Sequence, residues 1–434
     1  MTRAIRTLSK QQTRSSLAWF NWNISLRGVF ETICGGTTMV FVAYALVMGV
    51  PRDAMGYFSA TIGFACILQL LCLPLVSRVR RRKRFILIVA VIEPLLLVAA
   101  VLLTPVLPPT LRPVSLGLAV FLAAACLHLT RPFADDWLAT TIPSGLRGRY
   151  IGQRLRVSSL AIIATTLLVG YAVDVVGQTS LFGLTMLLIV GGLFGVAAAL
   201  TLTGASMPDK TESPHLRPGD LREVIRTRPF MALLAGTVLF NLPFYIAAGY
   251  YQVFNLEVLK MRPWLIACMG VGYLVVKLLF TPTIGRICDR IGPRSTLLLI
   301  GPIYAAFFLS FPFAAPDRAW PIIVAWAGVA LADGVWGVAA PAALYATIPE
   351  QGVRPAYFAV YNLVTLGCFA LGGILAVPLL GLLAQVHWTW GFANLGGYHL
   401  FYALMGVIMV PCSTAVLLFP GKQWPMAENN NNRQ

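Results

Sequence analysis

Thr141-Ile-Pro-Ser-Gly-Leu-Arg147-Gly-Arg-Tyr150 closes one long apolar run of this chain, and Thr347-Ile-Pro-Glu-Gln-Gly-Val-Arg354-Pro-Ala-Tyr357 closes another. The Thr-Ile-Pro triplets stand 206 residues apart and the Arg and Tyr pairs 207, so one residue is inserted between otherwise matching segments. That offset is close to half of the 434-residue chain. A tract that recurs at one position in each half points to two homologous halves lying side by side.

Outward from these two tracts, the chain is mostly apolar. Apolar residues make up 58% and charged residues 11%, against roughly 45–50% and about 25% in soluble domains. Runs such as 85–106, 181–202 and 295–315 supply the ~20 residues that a hydrocarbon core demands. Spans are expected near 25–49, 55–76, 85–106, 114–141, 157–177, 179–203, 230–255, 263–284, 295–315, 320–346, 357–383 and 398–419. The polar stretch 205–228, with Pro208, Pro214 and Pro218, divides them six and six. The expectation is an all-α membrane protein of twelve transmembrane helices in two pseudo-symmetric six-helix halves. The first half is 1–204, a cytoplasmic linker covers 205–228, the second half is 229–420, and 421–434 forms a cytoplasmic tail ending in a polar, Asn-rich tract.

The placement of basic residues sets the orientation, because Lys and Arg resist translocation. With the N-terminus in the cytoplasm, 25 of the 33 fall on the cytoplasmic side. Five (Arg52, Arg112, Lys260, Arg262, Arg318) fall opposite, and Arg27, Arg131 and Lys277 lie within spans. The bias places both termini in the cytoplasm of a multi-pass protein of the inner (plasma) membrane. It also accounts for the net charge of +17 without nucleic acid, since no basic run interleaved with exposed aromatics occurs. The eight cysteines show neither disulfide nor metal-ligand spacing and read as small buried hydrophobes. No cofactor and no metal site is expected. The polar, basic opening and the long first apolar run do not form a cleavable signal peptide.

The segment Gly285-Arg-Ile-Cys-Asp289-Arg290-Ile-Gly292-Pro-Arg294 resembles the G-x-x-x-D-R-x-G-x-R signature of the major facilitator superfamily at every defined position. The corresponding first-half segment, 74–84, keeps the basic cluster but lacks the Gly and Asp. The resemblance implies a gating role for Gly285, Asp289, Arg290, Gly292 and Arg294. Glycine suits a tight turn, Asp289 suits a helix N-terminus, and the arginines suit carboxylate partners. A solvated, positive-inside turn is the plainer alternative. The superfamily's exporter signature is absent from span five, where 160–176 holds only Gly170. Gly367, Gly372, Gly373 and Gly381 in span eleven read as helix packing.

Ionisable groups inside spans are costly and therefore candidates for function. Arg27 and Glu31 stand four apart on one helix face, and Arg131 and Asp135 repeat that spacing beside Asp136. The resemblance implies that spans one, four, seven and ten line the central cavity, so the two pairs would face each other across the first half. Glu93 precedes Pro94 in span three, Lys277 near the cytoplasmic end of span eight would snorkel, and Asp333 is deepest in span ten. Arg27 and Arg131 would hold an anionic or polar solute while Glu31, Asp135 or Asp333 takes up a proton. The alternative is that these groups are salt bridges holding the bundle together. In the second half, Asn241, Tyr245 and Trp336, with Tyr345, offer amides and rings suited to ring-bearing solutes. Tyr250 and Tyr251, like Trp388 and Trp390 of the outer loop, fit an interfacial belt, and His387 is expected in solvent.

Together these readings predict a secondary active transporter moving a small polar or anionic organic solute by alternating access, as a proton symporter, with the lipid bilayer as its surroundings. No G-x-x-x-x-G-K-[ST] loop occurs that would bind nucleotide. No catalytic residue is identified. The alternatives are a membrane-embedded enzyme, disfavoured by four histidines and short outer loops, and a non-transporting sensor or scaffold on a transporter fold.

Overall fold

The structure is a computed structural model and describes residues 8–52, 54–68, 79, 81–142, 147–207, 224–348, 354–386, 389–390, 393–394 and 396–419. Eleven stretches among the described residues are long and apolar enough to cross a membrane, with Lys10–Val47 counted as one. Met55–Ala65 is a further apolar helix, and the rest of the predicted span 55–76 lies largely outside the described residues. Two compact units emerge: Met1–His215 with Met261–Cys268, and Leu216–Lys260 with Met269–Gln434. The segment Met261–Cys268, expected in the second half, joins the first unit, where the Trp264 ring meets Tyr171 edge-on at 6.3 Å. Residues 208–223 of the expected linker and the tail 421–434 lie outside the described residues.

In the first unit α1 (Lys10–Cys34) starts well before the expected residue 25. The reason is local. Ser9 and Gln12 form a reciprocal capping box, with Gln12 N donating to Ser9 Oγ at 3.2 Å and Ser9 N to Gln12 Oε1 at 3.0 Å. The helix stops at Gly35, and α2 (Met39–Val47) resumes under a Thr38 cap. There follow α3 (Met55–Ala65), α4 (Arg82–Leu103), α5 (Arg112–Thr141), α6 (Arg147–Val176) and α7 (Leu181–Thr201). Small residues let α7 approach its neighbours closely: a Cβ on Gly195 would sit 2.7 Å from Pro94 Cβ and 2.8 Å from the Phe30 ring. That approach fixes α4 against α1 at the level of Glu93.

The end of α7 is held by side chains from three other helices. Lys83 Nζ donates to the carbonyls of Thr203 and Ala205, both at 2.7 Å, and lies 5.8 Å from the Trp137 ring centre. Trp137 Nε1 donates to Ser206 O, and Ser206 N donates to Ser16 Oγ. Lys83 read as one of the loop charges that set orientation. The structure gives it a second task, satisfying carbonyls that a helix end leaves unpaired.

The second unit holds α8 (Arg228–Ala248), α9 (Pro263–Ile291), α10 (Pro293–Leu298), α11 (Gly301–Leu309), α12 (Trp320–Thr347), α13 (Arg354–Leu383) and α14 (Gly397–Ser413). Most of α9 belongs here, beyond Cys268. After α8 the chain runs through a short helical turn, Tyr251–Val253, into a π-helical turn, Phe254–Val258. Around it packs an aromatic core in which the Phe311 and Tyr402 rings lie 3.8 Å apart and Tyr251 stacks on Tyr402 at 5.7 Å. Tyr250 and Tyr251 therefore do not form an interfacial belt. Tyr250 is fully buried against Phe401, and the Tyr251 hydroxyl is sealed from solvent. The glycines of span eleven are explained by packing at one position: a Cβ on Gly372 would lie 2.6 Å from the Tyr245 carbonyl carbon.

The recurring tract has one structural meaning in both units. Thr141 Oγ1 donates back to Trp137 O at 2.8 Å, and Thr347 Oγ1 to Ala343 O at 2.7 Å, each closing the last turn of its helix. Tyr150 then donates to Leu17 O at 3.0 Å, and Tyr357 shares a 2.7 Å hydrogen bond with Thr227 Oγ1. Each tyrosine is buried and ties the start of a long helix, α6 or α13, to the start of the first long helix of its unit.

Candidate functional site

Each unit encloses a cavity lined by charged side chains. In the first unit a space of about 260 Å³ is bounded by α1, α4, α5, α6 and α7. Both predicted pairs reach it, Arg27 and Glu31 from α1 and Arg131 and Asp135 from α5. The equal spacing hides unequal chemistry. Arg27 Nε donates to Glu31 at 2.8 Å, while its two terminal nitrogens donate to Glu93 at 2.7 and 3.1 Å. Glu93 is 6% exposed and Arg27 20%. Such a fork-to-fork pair suits a site that has little water. Arg27 is thus tied to α4 on one side and to Glu31 on the other, and the salt-bridge alternative describes its observed contacts.

Arg131 is held far more loosely. Its Nε stands 3.8 Å from Asp135, with side chains 60% and 69% exposed. Glu31, 52% exposed, gives one oxygen to Arg27 and presents the rest to the cavity. Arg154 of α6 also lines the space. Its Nε is sealed from solvent and has no hydrogen-bond partner among the described residues. It lies within reach of the charges of Asp135 and Arg131. The sequence reading placed Arg154 among the cytoplasmic loop charges. In the structure α6 already runs from Arg147, so Arg154 lies two turns inside a helix. Its signal was legible as Tyr150 and Arg154 four apart on one helical face. The Asp136 side chain lies outside the described residues.

In the second unit a cavity of about 240 Å³ is lined by α8, α9, α11 and α12. Asp333 is its acid. The hydroxyls of Tyr273 and Tyr304 both donate to it, one to each carboxylate oxygen. Lys277 lines the same space, with Nζ 5.6 Å from the Tyr273 ring centre. It forms no ion pair among the described residues. Lys277 was expected to snorkel toward the cytoplasm; one turn after Tyr273, it instead borders the cavity that Asp333 borders. Trp336 stacks on Phe240 at 4.7 Å with planes 5° apart. Asn241 also lines the cavity but donates its amide to Thr237 O at 2.8 Å, within its own helix. Tyr245 completes the aromatic wall. Asp333, Trp336 and Gly337 share one face of α12 at the i, i+3, i+4 spacing, and Tyr273 and Lys277 share a face of α9. Those spacings were available in the sequence; that the faces meet was not.

The sequence pattern of the Major Facilitator Superfamily matches residues 28–361. The chain belongs to the major facilitator superfamily. No curated protein sequence matches it. Among solved structures, it is similar to a mutant of the nucleoside transporter NupG, with a TM-score of 0.69 at 13% identity over 93% of this chain and 100% of that one. It is also similar to a bacterial homologue of the human lysosomal transporter Spinster in an inward-facing, occupied conformation, with a TM-score of 0.68, 15% identity and coverage of 95% and 97%. A bacterial homologue of the iron transporter ferroportin gives 0.66, 11%, 95% and 99%. At these identities the likeness shows the fold: the all-α membrane architecture of a major facilitator transporter, in keeping with twelve helices in two halves.

Within the superfamily motif the structure separates its two glycines. Gly285 was expected in a tight turn. It lies inside α9, whose helix runs on to Ile291, so the turn comes later. Gly292 is the turn residue, with φ +80°, the left-handed region that glycine occupies without penalty. Arg290 is exposed in the last turn of α9, and Arg294 lies in the first turn of α10. The Asp289 side chain lies outside the described residues, as do those of Tyr345 and Trp390 and the whole of His387 and Trp388.

Proposed function

We propose that this major facilitator protein is a secondary active transporter that moves a small polar or anionic organic solute by alternating access, coupled to protons. The observation that carries this reading is the first-unit cavity. There, Arg131 and Arg154 both line the space, Arg131 held only by a loose 3.8 Å pair with Asp135 and Arg154 with an Nε that has no hydrogen-bond partner among the described residues. Two guanidinium groups lining one cavity suit a carboxylate or phosphate group. Arg27 is assigned a positioning role, since all three of its nitrogens already donate to Glu31 or Glu93.

The proton is assigned to Asp333. An acid within a membrane span, with two hydroxyl donors and a lysine on the same cavity, has the means to exchange a proton for a change of hydrogen-bond partners. Gly292 and the arginines of the motif would serve the gating turn. By the positive-inside bias the protein sits in the inner membrane with both termini cytoplasmic. The domain limits 1–204, 205–228, 229–420 and 421–434 follow from the same topology.

The test is solute-driven proton movement in proteoliposomes containing the purified protein, with sugars, nucleosides, carboxylates and amino acids as the panel. A solute-dependent pH change in the wild type that disappears in Asp333→Asn is expected. Solute uptake without any pH change, equal in both proteins, would remove proton coupling and leave a uniporter or another coupling ion.

A further inference from the structure

We infer that the first-unit cavity is a zwitterion site, selecting small solutes that carry both a carboxylate and an ammonium group. The inference rests on the transport reading above and narrows its substrate class.

The argument is one of charge segregation. One cluster in the cavity comprises Arg27, Glu31 and Glu93, joined by three hydrogen bonds of 2.7 to 3.1 Å. One guanidinium against two carboxylates leaves this cluster one negative charge in excess. The excess is presented by Glu31, because Glu93 is buried and chelated whereas Glu31 is half exposed and uses a single oxygen. The other cluster comprises Arg131, Asp135 and Arg154. Among the described side chains, two guanidiniums against one carboxylate leave it one positive charge in excess, carried by Arg131 and by Arg154, whose Nε has no hydrogen-bond partner among them. All of these except Glu93 border the same space of about 260 Å³.

A solute with one charge satisfies one cluster and leaves the other facing it unmatched. A plain carboxylate would meet Arg131 and Arg154 but would bring a like charge near Glu31. A plain amine would meet Glu31 and bring a like charge near the two arginines. Only a solute bearing both groups matches both excesses, and that charge complementarity sets the preference. The cavity also falls below the roughly 300–1,000 Å³ of drug-sized pockets, which confines the class to small molecules. Gly195, Ala198 and Ala199 of α7 add small residues to its wall.

The experiment is equilibrium binding to the purified full-length protein by calorimetry. The probes are alanine, β-alanine, γ-aminobutyrate and glycine betaine, each set against its carboxylate-only and amine-only analogues. At least one zwitterion is expected to bind about tenfold or more tightly than both of its analogues, a margin of ~1.4 kcal/mol. Glu31→Gln should erase the preference over the carboxylate-only analogue while anion binding persists, and Arg154→Gln should weaken both. The wild-type ratios decide the matter without any variant. Carboxylates binding as well as zwitterions, or no zwitterion binding at all, would overturn the inference. Uptake assays on the same probes separate the two claims. Movement of carboxylates alone keeps the transporter and removes the zwitterion site, while zwitterion binding without movement keeps the site and removes the transporter.

Discussion

The two cavities differ in how they treat charge. The first unit gathers three arginines and three carboxylates, and its packing decides which of them are spent on one another. The second unit keeps one acid and one lysine apart on an aromatic wall and satisfies the acid with tyrosine hydroxyls. The difference teaches that an intramembrane charge is not informative by itself. Arg27 and Arg131 each stand four residues before an acid, yet one is chelated and the other is loosely held, because Arg27 also meets Glu93 from a second helix, α4.

The largest test of that contrast is Arg27→Ala. It leaves Glu93 buried without its partner, and a loss of about 3–5 kcal/mol is expected for breaking such a pair. The thermal midpoint in detergent reads it, and Arg27→Met with Glu93→Leu should recover much of the loss. If Arg27→Ala unfolds no more easily than the wild type, the assignment of Arg27 to structure fails. Next comes Tyr304→Phe in the second unit, which removes one of the two donors to Asp333. A hydrogen bond to a charged group contributes ~1.5–3 kcal/mol, and the same melting assay, with proton movement alongside, measures the result. An unchanged protein would mean that Asp333 is neutral or served otherwise.

Smaller effects sharpen the comparison between the repeats. Tyr150→Phe and Tyr357→Phe each delete a single tether and should cost about 0.5–1.5 kcal/mol. Similar values in the two variants are expected from the shared geometry, and a large difference would show that the tract does different work in each unit. The smallest stability effect belongs to Arg131→Gln, at ~0–1 kcal/mol, because the 3.8 Å pair with Asp135 is loose and exposed. Its transport defect should nonetheless exceed that of any tyrosine variant. A stable, fully active Arg131→Gln protein would take the anion site away from the first cavity.

Much of this molecule was legible in its residues, and the misses share a cause. The apolar runs, the duplicated Thr-Ile-Pro tract and the motif ending at Arg294 mark a helical membrane protein of two related halves. Local signals that were misread could have been read. Ser9 and Gln12 carry the capping box that starts α1 early, and only Gly292 of the two motif glycines precedes a proline that forces a turn. Tyr250 and Tyr251 were different. Nothing in their own sequence distinguishes a tyrosine at a membrane interface from one packed against Phe401 or Tyr402.

Sequence by itself determined the class, the repeat and the face on which each candidate charge lies, because hydropathy and helical periodicity are properties of a single segment. Tertiary structure alone decided which charges are neutralised. That Glu93 takes Arg27, that Arg154 Nε finds no partner among the described residues, and that two tyrosines find Asp333 all depend on helices far apart in the chain coming within 3 Å or so, where a hydrogen bond forms or does not.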